Sequence, residues 1–368
     1  ELLIPPVGLG SGYNMIRRVM LGLKRMVSLV LAAVMMCSLL TACSGGSDKP
    51  TLTVYNWGDY IGENVIDEFE KEFNCKVNYE MFEQNEDMYT KLKTAKGTYD
   101  VAIPSDYMIE RMIRENMLEK LDKDKIPNLQ YISDYCLNRD FDPGNEYSVP
   151  YMWGTVGIIY NTTMVDKPVT KWSDLWDKTY KKNLFMMNSV RDSMGIALLV
   201  CGYDINSREE SQIEAAKEKL IEQKPLVLAY TGDEIKDKMI AGEAALAVVY
   251  SGDAVTMIEQ NPDLAYVIPE EGSNIWFDNM CIVKDAPQKE LAEKFINFMC
   301  SEKIAAENRD YINYSTPQKQ VLESLPDKVK NDKAQYPDEE TLARCEIYKD
   351  LGDMAAKYDE FWTKIMVN

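Results

Sequence analysis

From Thr51 onward, short apolar strand-like runs alternate with amphipathic helical stretches, and this alternation restricts the chain to an α/β architecture. Leu52-Thr53-Val54-Tyr55-Asn56-Trp57 reads as a strand, and the segment after it places Val65, Ile66, Phe69 and Phe73 on one face of a helix. Val77, Tyr79 and Met81 then alternate as a second strand, 86–95 reads as a helix, and Asp100-Val101-Ala102-Ile103-Pro104-Ser105 is a short buried strand ending in a loop. In such a unit ligands bind beyond the carboxyl ends of the strands, where 57–60 and 105–107 fall.

A second α/β unit begins near Tyr151. Thr155-Val156-Gly157-Ile158-Ile159-Tyr160 is strand-like, and Trp172-Ser173-Asp174-Leu175 reads as a helix start. A capping box from Ser207 to Glu210 is expected to open a helix that stops before Pro225. Two more apolar strands, 226–230 and 245–250, flank a helix that turns Ile235, Met239 and Ile240 inward. The last hundred residues predict a strand pair around Trp276, then helices over 289–300 and 340–365.

Ahead of this part, Arg17, Arg18, Lys24 and Arg25 precede an apolar run over 26–40 and the sequence Leu40-Thr41-Ala42-Cys43. An apolar run this short, with these flanks, suits a signal segment better than a spanning helix, the alternative being an uncleaved membrane anchor with an incidental cysteine. Its end resembles the bacterial lipobox, which implies lipidation of Cys43 and an exported chain held on the outer face of a membrane. Residues 44–50 would be a flexible tether. Residues 1–14 precede the basic region and are expected to lie outside the native product. The formal charge is -19 overall and about -22 over 44–368, a field that repels nucleic acid and gathers cations. Absence of histidine removes Ser-His-Asp and Cys-His catalysis and histidine-bound zinc. The eight cysteines are scattered with no CxxC, so six of them read as small apolar residues, although spacing alone leaves a disulfide open.

Five segments occur in an order that identifies a family: Tyr55-Asn56-Trp57-Gly58-Asp59-Tyr60-Ile61, Val101-Ala102-Ile103-Pro104-Ser105-Asp106-Tyr107, Val149-Pro150-Tyr151-Met152-Trp153-Gly154, Trp276-Phe277-Asp278 and Tyr314-Ser315-Thr316-Pro317. Together they resemble bacterial spermidine/putrescine-binding proteins of ABC importers, over about 51–365. The resemblance implies a periplasmic-binding-protein-like fold, two α/β lobes with a ligand cleft between them and chain crossovers at the hinge. Lobe 1 would hold 51–151 plus 277–322 and lobe 2 would hold 152–276 plus 323–368. Matched position by position, it implies ligand contacts at Trp57, Asp59, Tyr60, Ser105, Tyr107, Trp276, Asp278 and Tyr314, with Asp192, Tyr250 and Asp253 added from lobe 2. It further implies a polyamine ligand, membrane permease partners, a monomer, and no cofactor, metal or catalysis. Ser189 departs from the family by standing where the spermidine-preferring branch is acidic. Asp59 and Asp253 resemble the putrescine-preferring branch, and Tyr348 or Glu346 stands where the family has Gln.

These residue types suit such a ligand for a physical reason. Buried ammonium groups need acceptors or negative charge, and methylenes need apolar walls. Aromatic rings contribute about 0.5 to 2 kcal/mol per cation and charge-assisted hydrogen bonds about 1.5 to 3 kcal/mol each, enough for a micromolar complex after ordering costs. Taken without the resemblance, Asp59 and Asp253 also read as helix N-caps, Asp192 as a solvated surface charge, and Trp57 as core packing. Rival functions are an importer component for another small cation or organic solute, a sensory lipoprotein, and an extracellular hydrolase using a carboxylate pair.

Overall fold

The computed structural model describes residues 49–367; the leader, Cys43 and most of the expected tether lie outside these residues. Strand β1 (Thr51–Trp57), helix α1 (Val65–Phe73), β2 (Lys76–Phe82), α2 (Asn85–Thr94), β3 (Val101–Ala102) and α3 (Asp106–Arg114) follow the expected alternation. β1 lies between β2 and β3, parallel to both. Its Leu52 and Val54 are fully buried, as are Val65 and Phe69 of α1, so strand and helix join one apolar layer through their period-2 and period-3.6 faces.

The 14-residue strand β4 (Ser148–Asn161) is buried along nearly its whole length. After it come β5 (Leu184–Met187), α4 (Val190–Val200), α5 (Glu210–Gln223), β6 (Ala229–Thr231), α6 (Ile235–Ile240), β7 (Leu246–Tyr250), α7 (Ser251–Gln260), β8 (Leu264–Val267) and β9 (Ser273–Ile282). The sheet order is β2-β1-β3-β9-β4-β7-β5-β6, with β8 added to β4. Ser148 to Thr155 of β4 pair with β9, whereas Val156 to Tyr160 pair with β7. One continuous strand therefore passes from one half of the sheet to the other, and its register shifts between Pro150 and Met152.

The carboxyl-terminal part differs from its expected form. Helices α8 (Lys289–Met299) and α9 (Glu302–Ile312) form, followed by the short α10 (Lys319–Ser324), α11 (Asp327–Lys330) and α12 (Glu339–Leu342). The single helix expected over 340–365 is interrupted. Strand β10 (Cys345–Glu346) leaves α12 to pair with β9, a 3₁₀ turn over Gly352–Met354 follows with Gly352 at a φ of 56°, and it leads into α13 (Ala355–Val367).

The Trp172 segment is a 3₁₀ turn, Trp172–Trp176. No capping box forms at Ser207: its hydroxyl donates to Gln212 Oε1 at 2.7 Å, and α5 starts after Glu209 with no side-chain cap. The strand around Trp276 pairs with β3, β4 and β10. Among the described residues Cys136, Cys201, Cys281, Cys300 and Cys345 form no disulfide, and Cys75, Cys136, Cys281 and Cys300 are buried.

Candidate functional site

Alternation along β9 sends Ile275 and Phe277 to one side and Trp276 and Asp278 to the other. Phe277 stacks on Trp153 at 6.2 Å in the core. Asp278 forms an isolated bridge with Ser105, at the end of the β3 segment, and this pairing delivers its carboxylate to the loop ends of the first half. Ser105 Oγ donates to one oxygen at 2.6 Å and Tyr60 Oη to the other at 2.8 Å. Asn85 supports the pair by donating to Ser105 Oγ at 3.1 Å, and Tyr151 Oη donates to the Tyr60 carbonyl at 2.7 Å. Asp278 is 6% exposed, and no salt-bridge partner faces it among the described residues. Burial lifts its pKa to about 6, and the two hydroxyl bonds offset only part of that rise.

Next to this acid lies a wall of rings set edge to face. Tyr314 meets Trp276 at 5.0 Å and Tyr60 at 5.7 Å; Tyr250 meets Trp276 at 5.9 Å. Two glycines allow the approach. A Cβ on Gly252 would stand 1.8 Å from the Tyr314 ring, and one on Gly154 would stand 2.7 Å from Trp276. Trp57 is placed differently: its ring contact is Phe82, at 4.4 Å, and no ring contact joins it to Trp276 or Tyr314.

At one end of the wall Tyr314 Oη donates to Asp253 Oδ2 at 3.1 Å. Asp253 is the third residue of α7, whose N-cap is Tyr250, so it does not cap the helix. Asp59 is no N-cap either, since α1 is preceded by Asn64; it sits at φ 48° in the loop after β1, with its side chain 69% exposed. Between these two acids stands Lys236, the second residue of α6, with Nζ 3.6 Å from Asp59 and 3.8 Å from Asp253. Burial raises the Asp253 pKa to about 6 despite that lysine. Burial pulls the Lys236 pKa down, but Asp253, Asp233 and Asp59 outweigh it and leave the lysine above its usual value. Among the described residues no group of acids or cysteines is arranged to hold a metal ion; the carboxylates here surround an ammonium.

At the other end Asp192, in the first turn of α4, accepts from Ser189 Oγ at 2.6 Å and from Tyr250 Oη at 3.0 Å. It is 5% exposed, so it is not a solvated surface charge, and burial raises its pKa. Ser189 caps α4 by accepting from the Asp192 amide. Tyr107 donates to Glu86 at 3.0 Å and meets the Tyr348 ring at 6.2 Å. The Arg191 guanidinium lies over Tyr348 and Tyr107, 4.4 and 5.1 Å from the ring centres. Of the two positions left open by the motif match, Tyr348 is buried in this group, whereas Glu346 is exposed on β10.

The structure thus brings Tyr60, Ser105, Asp278, Trp276, Tyr314, Tyr250, Asp253 and Asp192 into one connected set of hydrogen bonds and ring contacts. Tyr107 joins the Ser105 side through Asn85, which donates to both hydroxyls, and also meets the Tyr348 ring, and Asp59 attaches through Lys236. Sequence reasoning missed Lys236, Asp233, Glu86, Arg191 and Gly252.

Loops from the carboxyl ends of parallel strands, a long strand shared by both halves, and acids backed by rings define a solute-binding protein of the periplasmic-binding-protein type, with two α/β lobes. The chain belongs to the family described as bacterial extracellular solute-binding protein, whose model matches residues 64–337. The spermidine/putrescine-binding periplasmic protein of Salmonella typhimurium is 39% identical over 321 residues, 87% of this chain and 92% of that one. Among solved structures, the spermidine/putrescine ABC transporter substrate-binding protein PotD of Streptococcus pneumoniae is 42% identical with a TM-score of 0.74, covering 86% of this chain and 99% of that one. A candidate spermidine/putrescine ABC transporter from Listeria monocytogenes is 43% identical with a TM-score of 0.83, covering 86% of this chain and 98% of that one. Among the described residues no helix is long and apolar enough to cross a membrane.

Proposed function

We propose that this chain captures a polyamine, putrescine or spermidine, outside the cytoplasm and delivers it to the membrane permease of an ABC importer. The observation that carries the reading is Asp278: a buried carboxylate, held by two hydroxyls, beside an aromatic wall, and without a cationic partner among the described residues. Such a group is costly in an empty site and is relieved by an ammonium. The rings of Trp276, Tyr314 and Tyr60 would flank the methylenes, and Asp192 and Asp253 would serve further ammonium groups or their field. Trp57, Ser105, Tyr107, Tyr250 and Asp59 complete the proposed contact set.

The remaining parts of the reading follow from it. Binding is non-covalent, with no catalysis and no cofactor. Capture proceeds by closure of lobe 1 (51–151 plus 277–322) on lobe 2 (152–276 plus 323–368), a division supported by the register shift of β4 beside residue 151. The protein acts as a monomer, tethered to the outer face of the membrane through lipidated Cys43.

Titration calorimetry of the tether-free chain against putrescine, spermidine, spermine and cadaverine tests this, with mass analysis of the recovered ligand. Micromolar or tighter binding of at least one polyamine, recovered intact, is expected. Absence of heat with all four would reject the polyamine reading, and conversion of the ligand would favour a hydrolase.

A further inference from the structure

Lys236 lies on the polar side of a six-residue helix, yet its ammonium is turned into the site rather than to solvent: the side chain is 23% exposed and stands between Asp59 and Asp253. Its distances, 3.6 and 3.8 Å, exceed those of direct charge-assisted bonds, such as Lys76 to Glu70 at 2.6 Å or Lys284 to Glu119 at 2.8 Å. The lysine is shared between carboxylates and locked to neither. The Asp253 oxygen it does not face accepts from Tyr314, whose ring touches Trp276 and Tyr60. Only one carboxylate therefore separates this ammonium from the aromatic wall, whereas Asp278, further along, has no cation among the described residues.

We infer that Lys236 is a specificity-determining residue: its ammonium is a tethered occupant of the Asp59, Asp233 and Asp253 end of the slot, so that the site favours a ligand with two ammonium groups over one with three. This deepens the polyamine reading and rests on it. A third ammonium meets a station already filled and must displace the lysine or accept a like charge beside it. A diamine served by Asp278 and Asp192 meets neither penalty.

The test compares putrescine and spermidine affinities by calorimetry in the wild type, Lys236→Met, Lys236→Gln, Lys236→Arg and Lys238→Met. Lys238 is on the same helix and pairs with Glu243 at 3.2 Å, so its loss removes equal charge away from the site. Lys236→Met and Lys236→Gln are expected to raise the spermidine-to-putrescine affinity ratio at least tenfold, while Lys236→Arg and Lys238→Met keep it within threefold of the wild type. An unchanged ratio in both neutral variants, or an equal shift in Lys238→Met, overturns the role of Lys236 and leaves polyamine binding standing. A wild type that binds neither ligand overturns the polyamine reading itself.

Discussion

The two ends of the aromatic wall are built on opposite electrostatic plans. Among the described residues Asp278 has two hydroxyl donors and no cation, whereas Asp253 has one hydroxyl donor and a lysine within 3.8 Å. Burial nonetheless carries both carboxyls to a pKa of about 6. A hydroxyl dipole compensates a buried charge only partly, and a distant, shared ammonium does little better. What separates the ends is the work left for the proposed ligand: at Asp278 it would supply the first cation, at Asp253 a second.

The widest separation is expected from Asp278→Ala. It removes the acceptor of both Tyr60 and Ser105 along with the charge, and polyamine affinity should fall about 100-fold by calorimetry. A loss under threefold would mean that the ligand lies elsewhere. Acidification comes next. Binding an ammonium favours ionised carboxylates, which in the free protein are ionised only above about pH 6, while amine groups of the lysine type stay charged throughout. Affinity should hold near pH 7.5 and fall through pH 6 to 5, by about tenfold or somewhat more over that span. The ligand-free fold follows the opposite sign. Its raised acids oppose folding at neutral pH, and protonation relieves them. A flat affinity profile from pH 7.5 to 5 would exclude both acids from contact. The smallest effect is expected from Asp253→Ala, about five- to tenfold, because Lys236 keeps Asp59 and Asp233 as partners. A loss there equal to that of Asp278→Ala would erase the distinction between the ends.

Most of the first half was legible, because period-2 runs such as Leu52 to Trp57 and the apolar face of Val65, Phe69 and Phe73 are local signals that packing does not override. The motif order also located Ser105, Tyr60 and Asp278, whose contacts span up to 218 residues of sequence. Lys236 was not legible. In sequence it sits between the inward Ile235 and Met239, where a charge reads as part of a solvated helix face; only the end of β6 arriving beside the β1 loop makes it a neighbour of Asp59. Gly252 escaped for a similar reason, since the ring that excludes a side chain there comes from residue 314. The 340–365 helix failed because pairing of Cys345 and Glu346 with β9 outweighs local helical preference, an energy that no local window contains.

The missing methyl at Gly252 has a mechanical meaning. Backbone of α7 and the Tyr314 ring approach so closely that any side chain at 252 would act as a wedge between segments assigned to different lobes. Under the proposed closure, how far the jaws shut would be gauged by the absence of an atom, and a transporter that senses the shut form would be reading, in part, one hydrogen in place of a carbon.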